Sequence, residues 1–299
     1  MKKYIILTLA LLMFTLTGCA KDTESNKPIV AVTIVPQATF VEAIAGDLVE
    51  VVTIIPPGSS PASYEPTPQQ MADISDAIAY FTIGVTAEEG NILPQTSEDL
   101  NIIDLVDAVN DVYPDLMFDE DDHEDEGEHE DEDDHDHSGR DPHIWLSLKR
   151  VKVMVSEIKD ELIKLDPDNE STYTKNYETY MAEISDVQEQ VEALLVNKTV
   201  RSFIVYHPSW GYLADDYNLE MIALEEEGSE ASVSRIQEVI DFALENNINT
   251  VFFQSQIHSS QVESLVDELN AEQIEINPLA ANYLENYLEI VTAIAGSLE

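Results

Sequence analysis

Two histidines in this sequence stand in surroundings that suit coordination chemistry. His143 lies in RDPHIWLS and His207 in YHPSWGY, each beside a proline and an aromatic residue. A neutral imidazole offers one nitrogen lone pair to a borderline cation such as zinc, and it also tolerates copper, iron and nickel. Spacing alone leaves a second reading open, in which the two are unrelated and each is hydrogen-bonded near a loop. His258, in QIHSSQ, reads as a surface histidine and as a reserve ligand.

The other four of the seven histidines, His123, His129, His135 and His137, lie in DEDDHEDEGEHEDEDDHDH, which runs from Asp119 to His137. This run also holds fourteen acids and one glycine, and nothing in it can form a core. At neutral pH the carboxylates are ionised and the imidazoles mostly neutral. Mutual repulsion keeps such a segment extended. A divalent cation would relieve the repulsion and gain nitrogen donors, giving weak, multiple and fast binding. The alternative is a solvated low-complexity insert. Because the run leads directly into His143, it is expected either to concentrate metal for that histidine or to donate a further ligand to it.

The elements that must position these groups follow from apolar periodicity. Ile29–Val35, Val49–Gly58, Ala77–Gly84 and Asn101–Leu105 read as strands, with a helical stretch from Pro36 to Gly46 and another opening at Thr67, a plausible N-cap before Pro68. Two long helical stripes follow. One runs through Ile144, Leu148, Val151, Val155, Ile158, Leu162 and Leu165, and the other through Tyr173, Tyr177, Tyr180, Ile184, Val187, Val191 and Leu194. The alternation then resumes, with strands at Ser202–Tyr206, Leu219–Leu224, Thr250–Phe253 and Ile274–Ile276, and helices at Ser234–Asn246, Gln261–Asn270 and Asn282–Leu298. Alternating strands and helices imply parallel sheets covered on both faces. The expectation is an α/β protein of two lobes, each with a mainly parallel four-stranded sheet, joined by one long rigid helix. The boundaries are residues 28–168 for the N-terminal lobe with its acidic His-rich loop at 119–139, 169–198 for the linking helix, and 199–299 for the C-terminal lobe. His207, at a strand's carboxyl end, then sits where ligands bind in such folds.

The first residues, MKKYIILTLALLMFTLTGCA, combine two lysines, a short apolar run and a lipobox ending in Cys19. The apolar run is too short for the roughly 20 residues that span a bilayer. Residues 1–18 are expected to be a cleaved signal peptide. Cys19 is expected to carry lipid, and residues 19–27 to tether the domain to the outer face of the cell membrane. Cys19 is the one cysteine in the chain, so the domain itself has no disulfide. The formal net charge is −46, or −48 without Lys2 and Lys3. Such a surface repels nucleic acid and attracts cations.

PPGSSPASYEPTPQQM, DPHIWLS, YHPSWGYLADDYNLEMIALEEEG and VFFQSQIHSSQVESL with INPLAANY, in this order, resemble the motifs of metal-binding lipoproteins of zinc and manganese ABC transporters. The resemblance covers nearly all of the mature chain. It implies one metal ion between two lobes, delivered to an ABC permease and its ATPase by a monomeric, non-enzymatic binding protein. It carries two ligand positions onto His143 and His207, and histidine at the second resembles the zinc branch. The chain departs from the pattern at three places. Ala62 stands where a ligand histidine is usual, Asn277 where a late aspartate is usual, and Gln254 where a carboxylate is often found. Water, Glu65, His258 or a loop histidine would then complete a zinc site, or the cargo would be Mn2+, another divalent metal or a metal chelate. A surface adhesin remains the competing class, since lipid anchorage serves it equally. The sequence contains no HExxH, P-loop or GxGxxG motif to support a metal hydrolase or nucleotide enzyme.

Overall fold

The computed structural model describes residues 27–118, 139–225, 230–254 and 260–298. The expectations for the signal peptide, Cys19, the four histidines of the acidic run and His258 fall outside these residues.

Ile29–Val32 (β1) is a β-branched run whose last three side chains are buried, as a strand covered on both faces requires. It pairs in parallel with Glu50–Thr53 (β2) on one side and Ala79–Thr82 (β3) on the other, and Ile102–Asp104 (β4) completes the order β2-β1-β3-β4. Ser202–Val205 (β5), Glu220–Ala223 (β6), Thr250–Gln254 (β7) and Glu272–Ile276 (β8) form a second parallel sheet of order β6-β5-β7-β8. Each order reverses direction beside its first strand, which opens a crevice at the carboxyl ends of the two central strands.

The helices begin where short polar side chains satisfy free amides. Val35–Ala45 (α1) follows β1, and Gln37 Oε1 accepts from the amides of Thr33 and Ile34, both at 3.0 Å. Thr67 caps Pro68–Ser75 (α2) as expected. Leu105–Asn110 (α3) is capped by Asp104; with under two turns it leaves no readable stripe. The stripe expected to begin at Ile144 is divided. Ile144–Leu146 form one 3-10 turn, and Ser147 then caps Leu148–Leu165 (α4). Glu170–Leu195 (α5) is the long linking helix, about 39 Å at 1.5 Å per residue. In the second lobe the helices are Gly211–Tyr217 (α6), Val233–Asn246 (α7), Ser260–Leu269 (α8) and Tyr283–Ser297 (α9). α6, like α3, was not legible as a periodic stretch.

One hydrophobic core crosses from lobe to lobe. It contains Phe40 and Ile44 of α1, Val155 and Ile158 of α4, Ile184 and Val191 of α5, and Tyr283 and Val291 of α9. Each fully buried aliphatic or aromatic side chain of this kind contributes about 1.5–3 kcal/mol. Buried polar contacts stitch the same seam. Trp145 Nε1 donates to Pro278 O at 3.0 Å, Tyr283 and Tyr287 hydroxyls donate to the carbonyls of Trp145 (2.6 Å) and Leu146 (3.2 Å), and Tyr212 donates to Asp141 O at 2.9 Å.

The seam also holds a buried ion pair. Arg150 Nη1 lies 3.1 Å from Asp216 Oδ1, Ser147 Oγ donates to Asp216 Oδ2 at 2.6 Å, and the guanidinium sits 4.3 Å over the Tyr212 ring. Burial pushes the Asp216 carboxyl above the usual carboxylate range even against Lys149 and Arg150. Taking both charges out of water offsets much of their mutual attraction. Removing one partner is another matter, because it strands the other charge. Asp216→Ala is expected to lower unfolding free energy by about 3–5 kcal/mol in urea titrations; a loss below about 1 kcal/mol would mean that Arg150 finds water or another partner.

Candidate metal centre

His207 leaves the sheet because β5 ends at Val205, two residues before it. Tyr206 still pairs, its amide donating to Phe252 O at 2.8 Å, and a tight turn through Pro208 follows, with Ser209 N bonded to His207 O at 2.8 Å. The parallel register then brings up its partner. Leu224 N and Glu225 N continue the β6 ladder onto Val205 O (2.9 Å) and Tyr206 O (2.8 Å), so Glu225 lies alongside His207. Glu225 Oε2 is 2.6 Å from His207 Nδ1.

His143 is set from the other side. An antiparallel bridge between Met117 and Arg140 closes the base of the acidic run, and Asp141 N donates to Leu116 O at 2.8 Å. Asp141 Oδ1 then accepts from His143 N at 2.9 Å and lies 2.7 Å from His143 Nδ1. Asp141 is almost fully buried, and its other oxygen abuts Gly211.

The two rings approach to 5.2 Å between centroids at an interplanar angle of 80°. Their side chains are 12 % and 20 % exposed for His143 and His207, so each has an edge to solvent. A carboxylate can only accept, so each Nδ1 must donate, and in the neutral ring the lone pair falls on Nε2. This is the carboxylate–histidine arrangement that orients metal-binding imidazoles. Burial lowers the His143 pKa below its usual 6.5, with Asp141 acting in the opposite sense. A lowered folded value means that the unfolded chain takes the proton first. Stability from this group is full above 6.5 and is lost as pH falls below it.

The remaining candidates lie differently. Glu65 and Ala62 are exposed in the loop before α2, and Ala62 N donates to Ser60 Oγ at 3.3 Å. Gln254 ends β7 buried, with Nε2 donating to Ser209 Oγ at 2.6 Å. Asn277 Oδ1 accepts from Leu279 N at 3.0 Å in the turn before α9. Among the described residues, no group of three or more His, Cys, Asp or Glu is arranged to hold a metal ion. Sequence reasoning missed Asp141 and Glu225. The first had a local signal, a carboxylate two residues before the histidine; the second appears only once the β5–β6 register is known.

The family described as "Zinc-uptake complex component A periplasmic" (ZnuA) matches residues 30–299. The chain belongs to this family. Its members are solute-binding rather than catalytic proteins. The high-affinity zinc uptake system protein ZnuA of Bacillus subtilis is 30% identical over 268 residues, spanning 88% of this chain and 82% of that protein. The zinc-binding lipoprotein AdcA of Streptococcus pneumoniae is 25% identical over 302 residues, 97% of this chain but 59% of the longer relative. A zinc-bound deletion mutant of ZnuA superposes with a TM-score of 0.80 at 34% identity, covering 92% of this chain and 99% of that one.

Two measurements check this geometry. Nitrogen-15 spectra of the metal-free protein at pH 8 should give both imidazoles as the Nδ1-protonated tautomer, and Asp141→Ala should release His143 alone from it. A parent protein already protonated at Nε2 would contradict the assignment. A methyl group at position 211 would stand 2.6 Å from Asp141 Oδ2. Gly211→Ala should therefore cost about 1–3 kcal/mol of stability and displace His143, and an unperturbed His143 resonance would show that the carboxylate has room to give.

Proposed function

We propose that this protein captures a divalent metal ion, zinc first, between His143 and His207 and delivers it, at the outer face of the membrane, to an ABC permease that works with its ATPase. The observation that carries the reading is the 5.2 Å approach of two imidazoles from different lobes, each with Nδ1 on a carboxylate. Two rings bound through Nε2 at about 2.0–2.1 Å, with about 1.1 Å from nitrogen to ring centre and a tetrahedral angle of about 109°, have centroids about 5.2 Å apart. The match supports a site that needs little rearrangement to take a cation. Family membership supports the uptake role.

Two nitrogens leave about two zinc positions for other donors. Water, Glu65, His258 or a histidine of the acidic run would fill them, and Ala62 leaves room for a donor that arrives with the cargo as a chelate. Cys19 would hold the domain at the membrane through lipid. The acidic run, with His123, His129, His135 and His137, would gather cations for the cleft.

Calorimetric titration of the tag-free mature domain with zinc and manganese tests the reading. His143→Ala or His207→Ala should weaken the tight site by at least 100-fold, and Glu225→Ala by about 10–100-fold. Unaltered binding in both histidine variants would overturn it. Deleting residues 119–137 should remove the weak, multiple sites and slow capture, leaving the cleft site in place; unchanged stoichiometry and capture rate would dismiss a role for the run.

A further inference from the structure

Glu88 is a carboxyl group that the cleft chemistry above does not use, and it is 1 % exposed. It opens a π-turn, Glu88–Ile92, a rare geometry that is concentrated at functional positions. Its oxygens accept from Ile83 N at 3.0 and 3.1 Å and from Gly84 N at 2.6 Å, and the Thr33 hydroxyl donates to it as well. Thr33 in turn lies 2.9 Å from the Tyr80 hydroxyl. Thr33, Ile83 and Gly84 stand just past the carboxyl ends of β1 and β3, so this carboxyl lies at the switch point of its own sheet.

Two links run outward. Gly84, at φ 71°, offers its carbonyl to Arg140 Nη2 at 2.7 Å, and a Cβ there would strike that guanidinium. Arg140 is buried, its Nε and Nη1 have no partner among the described residues, and it immediately precedes the Asp141 that orients His143. Ala87, just before Glu88, donates its amide to Pro61 O at 3.1 Å, which fixes the loop carrying Ala62 and Glu65.

We propose that Glu88 is a proton-sensitive positioning residue for the cleft: its negative charge gathers the Gly84 turn and so holds Arg140, Asp141 and His143 in the metal-ready arrangement. The proposal rests on the metal-capture reading. Ionised, Glu88 accepts three charge-assisted hydrogen bonds; protonated, it gives up much of their strength and loosens the turn that grips Arg140. The titratable and charged groups facing it are Tyr80 from β3 and Asp104 from the end of β4, and among the described residues no cation pairs with it. Burial pushes its carboxyl up to about 7, Asp104 adding to the rise and the Thr33, Ile83 and Gly84 bonds opposing it. The folded state therefore keeps a proton that the unfolded chain has lost between 4.5 and about 7, and stability falls as pH rises through that window. Holding this charge above pH 7 works against the fold, which makes sense if the charge serves the site.

Glu88→Gln keeps the shape and removes the charge. Zinc affinity of parent and variant should agree near pH 5.5 and diverge to about fivefold or more, in favour of the parent, at pH 8. Titration of the histidines is common to both proteins and cancels in the ratio. A ratio that does not change with pH overturns the proposal. The second readout needs no variant. Zinc loading must lower the carbon-13 titration midpoint of the Glu88 carboxyl in the parent protein, by reciprocity of the coupling, and an unmoved midpoint overturns the proposal even if the variant fails to fold. If the parent binds no zinc, the metal reading fails and the proposal with it. If zinc binds with full affinity while the Glu88 midpoint stays put, only the proposal fails.

Discussion

A carboxylate on the Nδ1 of each cleft histidine is the interaction on which the rest depends. Without it an imidazole can present either nitrogen and rotate about its side chain, and two such rings from separate lobes would meet only by chance. With Asp141 at 2.7 Å and Glu225 at 2.6 Å, tautomer and direction are set before any cargo arrives. Preorganisation of this kind removes an ordering cost from binding. It also leaves the lone pair of each neutral ring on Nε2, with the two rings 5.2 Å apart between centroids.

The two lobes hold those carboxylates by different means. Glu225 is placed by the β5–β6 ladder, so its precision is that of a parallel sheet. Asp141 has no strand to carry it. It is held by the pairing at the neck of the acidic run, by the Tyr212 hydroxyl from the opposite lobe and by contact with Gly211. His143 is thus fixed by residues of both lobes. The seam behind it, with Trp145, Tyr283, Tyr287 and the Arg150–Asp216 pair, leaves little freedom for a hinge between the lobes.

Much of the fold could be read from the sequence because periodicity reports burial. The apolar runs located the eight strands found among the described residues, although the second was expected to run to Gly58 and ends at Thr53, and the long stripes located α4 and α5. The divided start of α4 was hidden because Ile144 and Leu148 keep helical spacing across the Ser147 break. α3 and α6 were hidden because seven residues or fewer cannot display a period. His143 and His207 were legible as a pair of residue types in matching surroundings. Glu225 and the Gly84–Arg140 link were not, since Glu225 lies 18 residues from His207 and Arg140 lies 56 from Gly84, and both partners are chosen by strand register and crevice packing. The surroundings of Gln254 and Asn277 were not legible either: Gln254 Nε2 donates to Ser209 Oγ, 45 residues away, and Asn277 Oδ1 accepts from Leu279 N.

The central claim is that two imidazoles, one from each lobe and each bound through Nε2, hold the cargo. X-ray absorption at the zinc edge of the singly loaded protein lacking residues 119–137 tests it most directly. The account predicts a first shell with two imidazoles at about 2.0–2.1 Å, their outer-ring scattering present, and lighter oxygen donors completing the coordination. A shell of oxygen atoms alone, without imidazole scattering, would contradict it.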